Sequence, residues 1–203
     1  MLEEARRFAA SAVRRVDVEV GETQVTGELD GLAEDARTAM RASKLKSKDR
    51  LRGWIQHLVL SLQRDQAQDP ELPWPDRTRL LAADGVHVFR PVDPEAAEAH
   101  LSRLLELYLE GLTRPLAFFE HSSFAVGAGR HKGKPATALL AAARNAYEGK
   151  DDKHSYNADL DDPSVALCMR GRDPIDEGVD GELMKLAEEV WAPLLEHLEE
   201  AVR

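Results

Sequence analysis

The chain has 203 residues with 27 Lys and Arg against 37 Asp and Glu, a net charge of −10, and 43% hydrophobic and 32% charged residues. That balance excludes a uniformly basic, polymer-coating nucleic-acid binder, and the composition fits neither a disordered chain nor a disulfide scaffold. A single cysteine, Cys168, can form no intrachain disulfide and complete no cysteine zinc cluster, so a reducing cytoplasm is the expected setting. No apolar run approaches the roughly 20 residues needed to span a bilayer. Even Leu51 to Leu62 is interrupted by Arg52, Gln56, His57 and Ser61. One domain over residues 1–203 is expected, divided into a sheet-forming portion at 1–92 and a helical portion with one strand at 93–203.

The start, MLEEARRFAASAVRR, has acids at its front and no cleavage site after an apolar core, so it reads as a helix rather than a secretory signal. Arg15 to Val20 alternates apolar and charged residues, turns at Gly21-Glu22 and returns extended through Leu29, which predicts a hairpin. A third extended stretch is expected within Ala33 to Met40. From Ser47 the period changes to 3.6, with Leu51, Trp54, Ile55, Leu58, Val59 and Leu62 on one face and Ser47 placed as the cap of a helix packed on the sheet. A Pro-rich loop at Asp69 to Pro75 follows. Asp84-Gly85 between two apolar runs then predicts a second hairpin.

Asp93-Pro94 caps and starts a long amphipathic helix through Leu112, with Leu101, Leu104, Leu105, Tyr108 and Leu112 as its buried face. Arg114 to Phe119 is extended, a short helix lies around Ser122 to Ala128, and another runs from Pro135 to Glu148. After a polar loop from Gly149 to Asp162, the all-apolar run Val165 to Met169 suits a covered strand. A last helix starts at Gly181, with Pro193 as a kink. The order is α-β-β-β-α-β-β-α-α-α-β-α, an α/β (α+β) chain with a small mixed sheet, flanking helices and a helix-rich C-terminal half.

Glu28 and Asp30 lie at i and i+2 on the second strand, and two acids on one strand face can hold Mg²⁺. Metal-dependent nucleases of the PD-(D/E)xK type keep their first metal-binding Asp on such a strand. They also need an acid and a Lys two apart on the next one, so that carboxylates hold the metal and the ammonium stabilises phosphate charge. The corresponding stretch here, Thr38 to Lys44, has bases and no acid. Glu28 and Asp30 therefore read as vestigial or structural rather than as metal ligands, and the matches at Glu148-Gly149-Lys150 and Asp151-Asp152-Lys153 sit in a polar loop far from the hairpin. No catalytic residue, metal site or cofactor is assigned.

A second feature is a charge block in which Arg37, Arg41, Lys44, Lys46, Lys48, Arg50 and Arg52 face a single acid, Asp49, between residues 37 and 52. A solvated helix start is the commonest fate of such a run, and contact with DNA phosphates or an acidic partner is the functional alternative. Arg130 to Lys134 forms a shorter patch. The seven His residues show no zinc spacing, and no GxxxxGK(S/T), GxGxxG or GxSxG motif appears. The aromatic residues read mainly as core, with Phe118-Phe119 as an alternative exposed anchor for a partner.

Across these segments the chain resembles the C-terminal domain of RecC, the gamma subunit of exodeoxyribonuclease V (RecBCD). The residues that carry the likeness are Gly27 to Gly31, Lys44 to Leu58, Tyr108 to Phe119, Ala141 to Gly149, Asp162 to Leu167, Arg170 to Pro174 and Trp191 to Leu195. RecC is a much longer protein, so the resemblance implies that this chain is a fragment of one. It also implies a degenerate PD-(D/E)xK nuclease-like core without catalytic groups. The role it implies is scaffolding, with RecB- and RecD-like helicase subunits as partners, DNA met in the full complex, and no membrane. The competing readings are an active metal-dependent nuclease that recruits a displaced acid such as Asp35 or Asp49, and an unrelated helical interaction module.

Overall fold

A computed structural model describes residues 12–67, 74–149 and 158–201. The chain divides into two compact units, one made of residues up to Leu105 together with those from His197 onward, the other of Glu106–Glu196. Among the described residues there are six strands and six α-helices, an α/β architecture.

All six strands belong to one mixed sheet of the first unit, in the order β1-β2-β3-β4-β5-β6. β1 (Ala12–Val20) and β2 (Thr23–Leu32) form the expected hairpin, with Gly21 at φ +56° in the turn, a conformation that side-chain-bearing residues rarely adopt. Alternation along β1 buries Val16, Val18 and Val20 and leaves Asp17 and Glu19 outside. The first eleven residues of the expected N-terminal helix, like most of the Pro-rich loop and residues 150–157, lie outside the described residues. The helix's last residues, Ala12 to Arg15, are strand, because pairing with β2 extends the β pattern further back than its charge alternation indicates.

β3 (Arg37–Met40) pairs antiparallel with β2 and parallel with β4 (Thr78–Ala82), and the crossover between the parallel strands is α1 (Ser47–Gln66). β4 turns through Ala83-Asp84 into β5 (Gly85–Phe89), and β5 pairs with β6 (Leu198–Ala201). α1 packs its Trp54, Leu58 and Leu62 face inward, whereas Ile55 is exposed. The helix comes close to the sheet at Gly53, where an added Cβ would lie 2.9 Å from Leu80 Cδ2. The residue before the helix is Lys46, not Ser47, and the first turn is closed by the Asp49 carboxylate accepting the Lys46 N–H at 3.0 Å.

α2 (Pro94–Gly111) begins at the predicted Asp93-Pro94 signal. Ala97, Leu101 and Leu107 are its buried residues, while Tyr108 and Leu112 are exposed, contrary to the helical-face expectation. Arg114 to Phe119 links α2 to the next helix without regular secondary structure. In the second unit, α3 (Glu120–His131) and α4 (Ala136–Glu148) pack closely, so that a Cβ at Gly129 would meet Leu139 at 2.5 Å. The buried carboxylate of Asp159 caps α3 by accepting the N–H groups of His121 and Ser122 at 2.9 and 2.8 Å. Val165 to Met169 is not a strand. Residues Pro163–Cys168 form α5, because Asp162 caps the Ser164 N–H at 2.8 Å and Pro163 occupies the first helical position. α6 (Glu182–His197) contains Pro193, and its Trp191 donates its indole N–H to Ser123 Oγ at 3.0 Å. β6 follows directly, where the apolar spacing predicted continued helix.

Beneath α1 lies a buried histidine. His57 stacks on Phe89 at 5.5 Å, its Nε2 donates to the Arg90 carbonyl at 2.8 Å, and its Nδ1 accepts from the Thr78 hydroxyl at 3.1 Å. Burial lowers its pKa to about 4. His87 is also buried, with neither ring nitrogen bonded among the described residues, and desolvation followed by the charge of Arg50 lowers its pKa as well. Both rings are neutral in the folded chain, while in the unfolded chain they titrate near the ordinary value of about 6.5. As pH falls from there, the unfolded state takes up protons that the folded state refuses, so stability drops. His57 accounts for about 3 kcal/mol of this loss by the time the pH passes its folded value. Denaturant midpoints measured down this range are expected to fall, and His57→Gln is expected to make the fall shallower without abolishing it, since His87 remains.

Candidate functional site

The candidate site is built where β2, β3 and the start of α1 converge, all within the first unit. β2 is not regular at its end. Ala12 pairs with Leu32 and Arg14 with Leu29, so three steps on β2 face two on β1, and Gly31 takes up the extra residue at φ +71°. Such a bulge bends its strand and re-aims the side chain beside it. Asp30, beside the bulge, reaches the cleft described below, whereas Glu28 stays opposite Arg15 in the β1 register and is not among the cleft's lining residues.

β3 opens with Arg37, which is only 1% exposed. Its Nη2 donates to Asp30 Oδ1 at 2.8 Å, while its Nε and Nη1 are buried and have no partner among the described residues. Burial lowers its pKa against the opposing pull of Asp30. A guanidinium nevertheless keeps its proton in a protein, so a positive charge sits fixed at the start of an interior strand. A carboxylate neutralised by an adjoining guanidinium is a poor ligand for a cation.

The strand then passes through Ala39 and Met40 to Arg41, and the connection to α1 is tied down at several points. The Arg41 N–H donates to the Leu81 carbonyl at 2.8 Å, and the Leu45 N–H to Asp84 Oδ1 at 2.9 Å. Arg50 Nη1 donates to the Leu45 carbonyl at 2.7 Å. Arg41 donates from Nη1 to Asp49 and from Nε to Ser43 Oγ, at 2.8 and 2.7 Å. Between this connection and the first two turns of α1 lies a cleft of about 240 Å³. Its polar lining is Asp30, Arg37, Arg41, Asp49, Arg52 and Gln56. Three guanidinium groups thus face two carboxylates.

The basic block is therefore not one surface. Arg37, Arg41 and Arg50 are built into the fold by the bonds just given, while Lys44, Lys46, Lys48 and Arg52 are exposed. Phe119 is buried against Tyr147, with ring centroids 5.4 Å apart, so it is core rather than an exposed anchor. Phe118 is half-buried and stacks on Trp191 at 6.1 Å. Among the described residues no three His, Cys, Asp or Glu side chains gather in a way that could hold a metal ion. The residues that sequence reasoning missed are Gln56 and Asp84. Gly31 beside Asp30 is the signal that would have located the bulge.

Fold and site together define an α/β protein whose cleft holds one acid contributed by a strand, Asp30, paired with the buried Arg37. The chain belongs to the RecC C-terminal domain family, whose sequence model matches residues 2–131. No curated protein matches the chain. The match takes in β1 to β5, α1, α2 and α3 and so contains the whole cleft; the similar segments from Ala141 onward lie outside it. The family sets the chain in the context of the exodeoxyribonuclease V (RecBCD) complex of DNA repair and recombination. Among the described residues no helix is long and apolar enough to cross a membrane.

Because the Arg37 guanidinium is buried and Asp30 is its one bonded partner among the described residues, the two halves of the pair are expected to respond unequally. Asp30→Asn leaves a buried cation with a neutral partner and should destabilise by about 1–2 kcal/mol, the exposed side of Asp30 moderating the loss. Arg37→Met removes the charge itself and should cost less or be neutral. Urea unfolding of the two variants at neutral pH checks the order.

Proposed function

We propose that this chain is a non-catalytic scaffold domain of a RecBCD-type helicase–nuclease, supporting the docking of RecB- and RecD-like subunits and the separation of DNA strands in cytoplasmic double-strand-break repair. The observation that carries this reading is the composition of the cleft. Where a metal nuclease needs an acid and a lysine two apart on the strand after its first Asp, the lining here offers Ala39 and Arg41, and Asp30 is already paired with Arg37. The displaced acids that an active enzyme would have to recruit are also engaged: Asp49 by Arg41 and the Lys46 N–H, Asp35 by Arg79 at 2.9 Å. A helical module unrelated to nucleases is disfavoured by Glu28 and Asp30 sharing β2 of a mixed sheet.

The test is a cleavage assay on linear duplex and single-stranded DNA with Mg²⁺ and Mn²⁺, beside a Glu28→Ala/Asp30→Ala double variant, with Mn²⁺ titrated calorimetrically into both. No cleavage and no Mn²⁺ heat is expected from either protein. Cleavage that vanishes in the double variant would establish a working metal site and end the scaffold reading. Co-purification with RecB- and RecD-like subunits is expected on the same reading, and its failure with folded protein would count against it.

A further inference from the structure

We propose that the cleft between β3 and the start of α1 binds one backbone phosphate of single-stranded nucleic acid, with Arg37 and Arg52 as its donors. The proposal rests on the reading above only in taking nucleic acid as the polymer that the domain meets; the preference for an anion follows from the cleft itself.

The charges settle pairwise first. Asp49 is held by Arg41 and the Lys46 N–H, and Asp30 accepts from Nη2 of Arg37. What remains in the lining is cationic or donating: the exposed guanidinium of Arg52, the amide of Gln56, and Arg37, whose Nε and Nη1 are buried and unbonded among the described residues. A buried donor without an acceptor is costly, and two on one charged group, unbonded among the described residues, suit an anion entering the cleft. A guanidinium offers its donors as a planar fork, which matches two oxygens borne on one centre.

Phosphate is favoured over a protein carboxylate by what flanks the cleft. Lys44, Lys46 and Lys48 are exposed on the segment between Arg41 and Asp49, both of which line it. A ligand whose negative charge recurs along its length can meet these lysines while one group sits in the cleft, whereas an isolated acidic side chain cannot. Single strands are favoured over duplex because Arg37 is only 1% exposed. A phosphate must enter below the surface to reach it, and a flexible backbone can turn one inward where a stiff duplex cannot.

The experiment uses the whole 203-residue chain and fluorescein-labelled oligothymidylate, read by anisotropy over a range of salt, with the Nε–H resonance of Arg37 followed by NMR. Arg52→Glu is expected to weaken binding about tenfold and to reduce the salt slope by about one phosphate equivalent. Lys132→Glu, in the other basic patch, should leave both unchanged. The Arg37 resonance should move on addition of the oligonucleotide. Because Arg52 is exposed and the NMR signal is read on the unaltered chain, neither readout depends on a variant of buried Arg37 folding.

Equal affinity for a methylphosphonate oligonucleotide, whose backbone is uncharged, would overturn the proposal, as would an Arg37 resonance that inorganic phosphate shifts and the oligonucleotide does not. Competition by polyglutamate as strong as that by unlabelled oligothymidylate would assign the cleft to an acidic protein partner instead. Loss of phosphate binding leaves the scaffold reading intact, and cleavage in the metal assay leaves phosphate binding intact, so the two fail separately.

Discussion

The parallel pairing of β3 with β4 is the constraint from which the rest of the first unit follows. Parallel neighbours cannot be joined by a tight turn, so the chain must leave β3, cross the sheet and return, and α1 is that crossing. Its start is then bound to lie near the end of β3. The tethers on the connecting segment, from Asp84 to Leu45 and from Leu81 to Arg41, fix where the first turn begins. The cleft is what remains between a strand end and a helix start that the topology forces together. Trp54, His57 and Phe89 pack together at the middle of the same helix, while Gln63 and Gln66 near its other end accept the Asp17 and Glu19 N–H groups of β1.

Within that frame one substitution of chemical type decides what the cleft can do. A metal-dependent phosphodiesterase brings two or three acids to a point and lets a divalent ion supply the positive charge. Here the positive charge is covalent, carried by Arg37 and delivered through a single N–H to Asp30. A fixed cation can attract and orient an anion, but it cannot lower the pKa of a water or exchange ligands as a metal does. The scaffold role proposed above rests on this difference in kind between a fixed cation and an exchangeable metal ion.

Much of this was legible in the chain itself, and the parts that were not have identifiable causes. Strict alternation marked β1, and the change of period at Ser47 marked α1, because a half-buried strand and a helix packed on a sheet impose different spacings. Val165 to Met169 misled because a short apolar run has no period, and the deciding information lay in Asp162 and Pro163 just before it. β6 was hidden because Leu198 continues the spacing of α6, and only pairing with β5, about 110 residues away, ends the helix there. Arg37 read as one more base in a charged run. Gly31 signals the bulge locally, but that the bulge brings Asp30 to a buried Arg37 depends on the pairing of β2 with its neighbours.

The pairing of β5 with β6 has a consequence for how the chain reaches this state. In sequence the second unit lies between β5 and β6, so the sheet of the first unit is completed only by residues that follow Glu106–Glu196. Until then β5 presents a bare edge of N–H and C=O groups, the kind of surface on which chains associate wrongly. Stopping the chain at residue 131, where the family match ends, would make that interval permanent. The acidic strand that closes the edge, with Glu199 and Glu200 beside Val88 and His87, thus serves as the sheet's terminal guard. A boundary drawn from sequence similarity alone would cut it away.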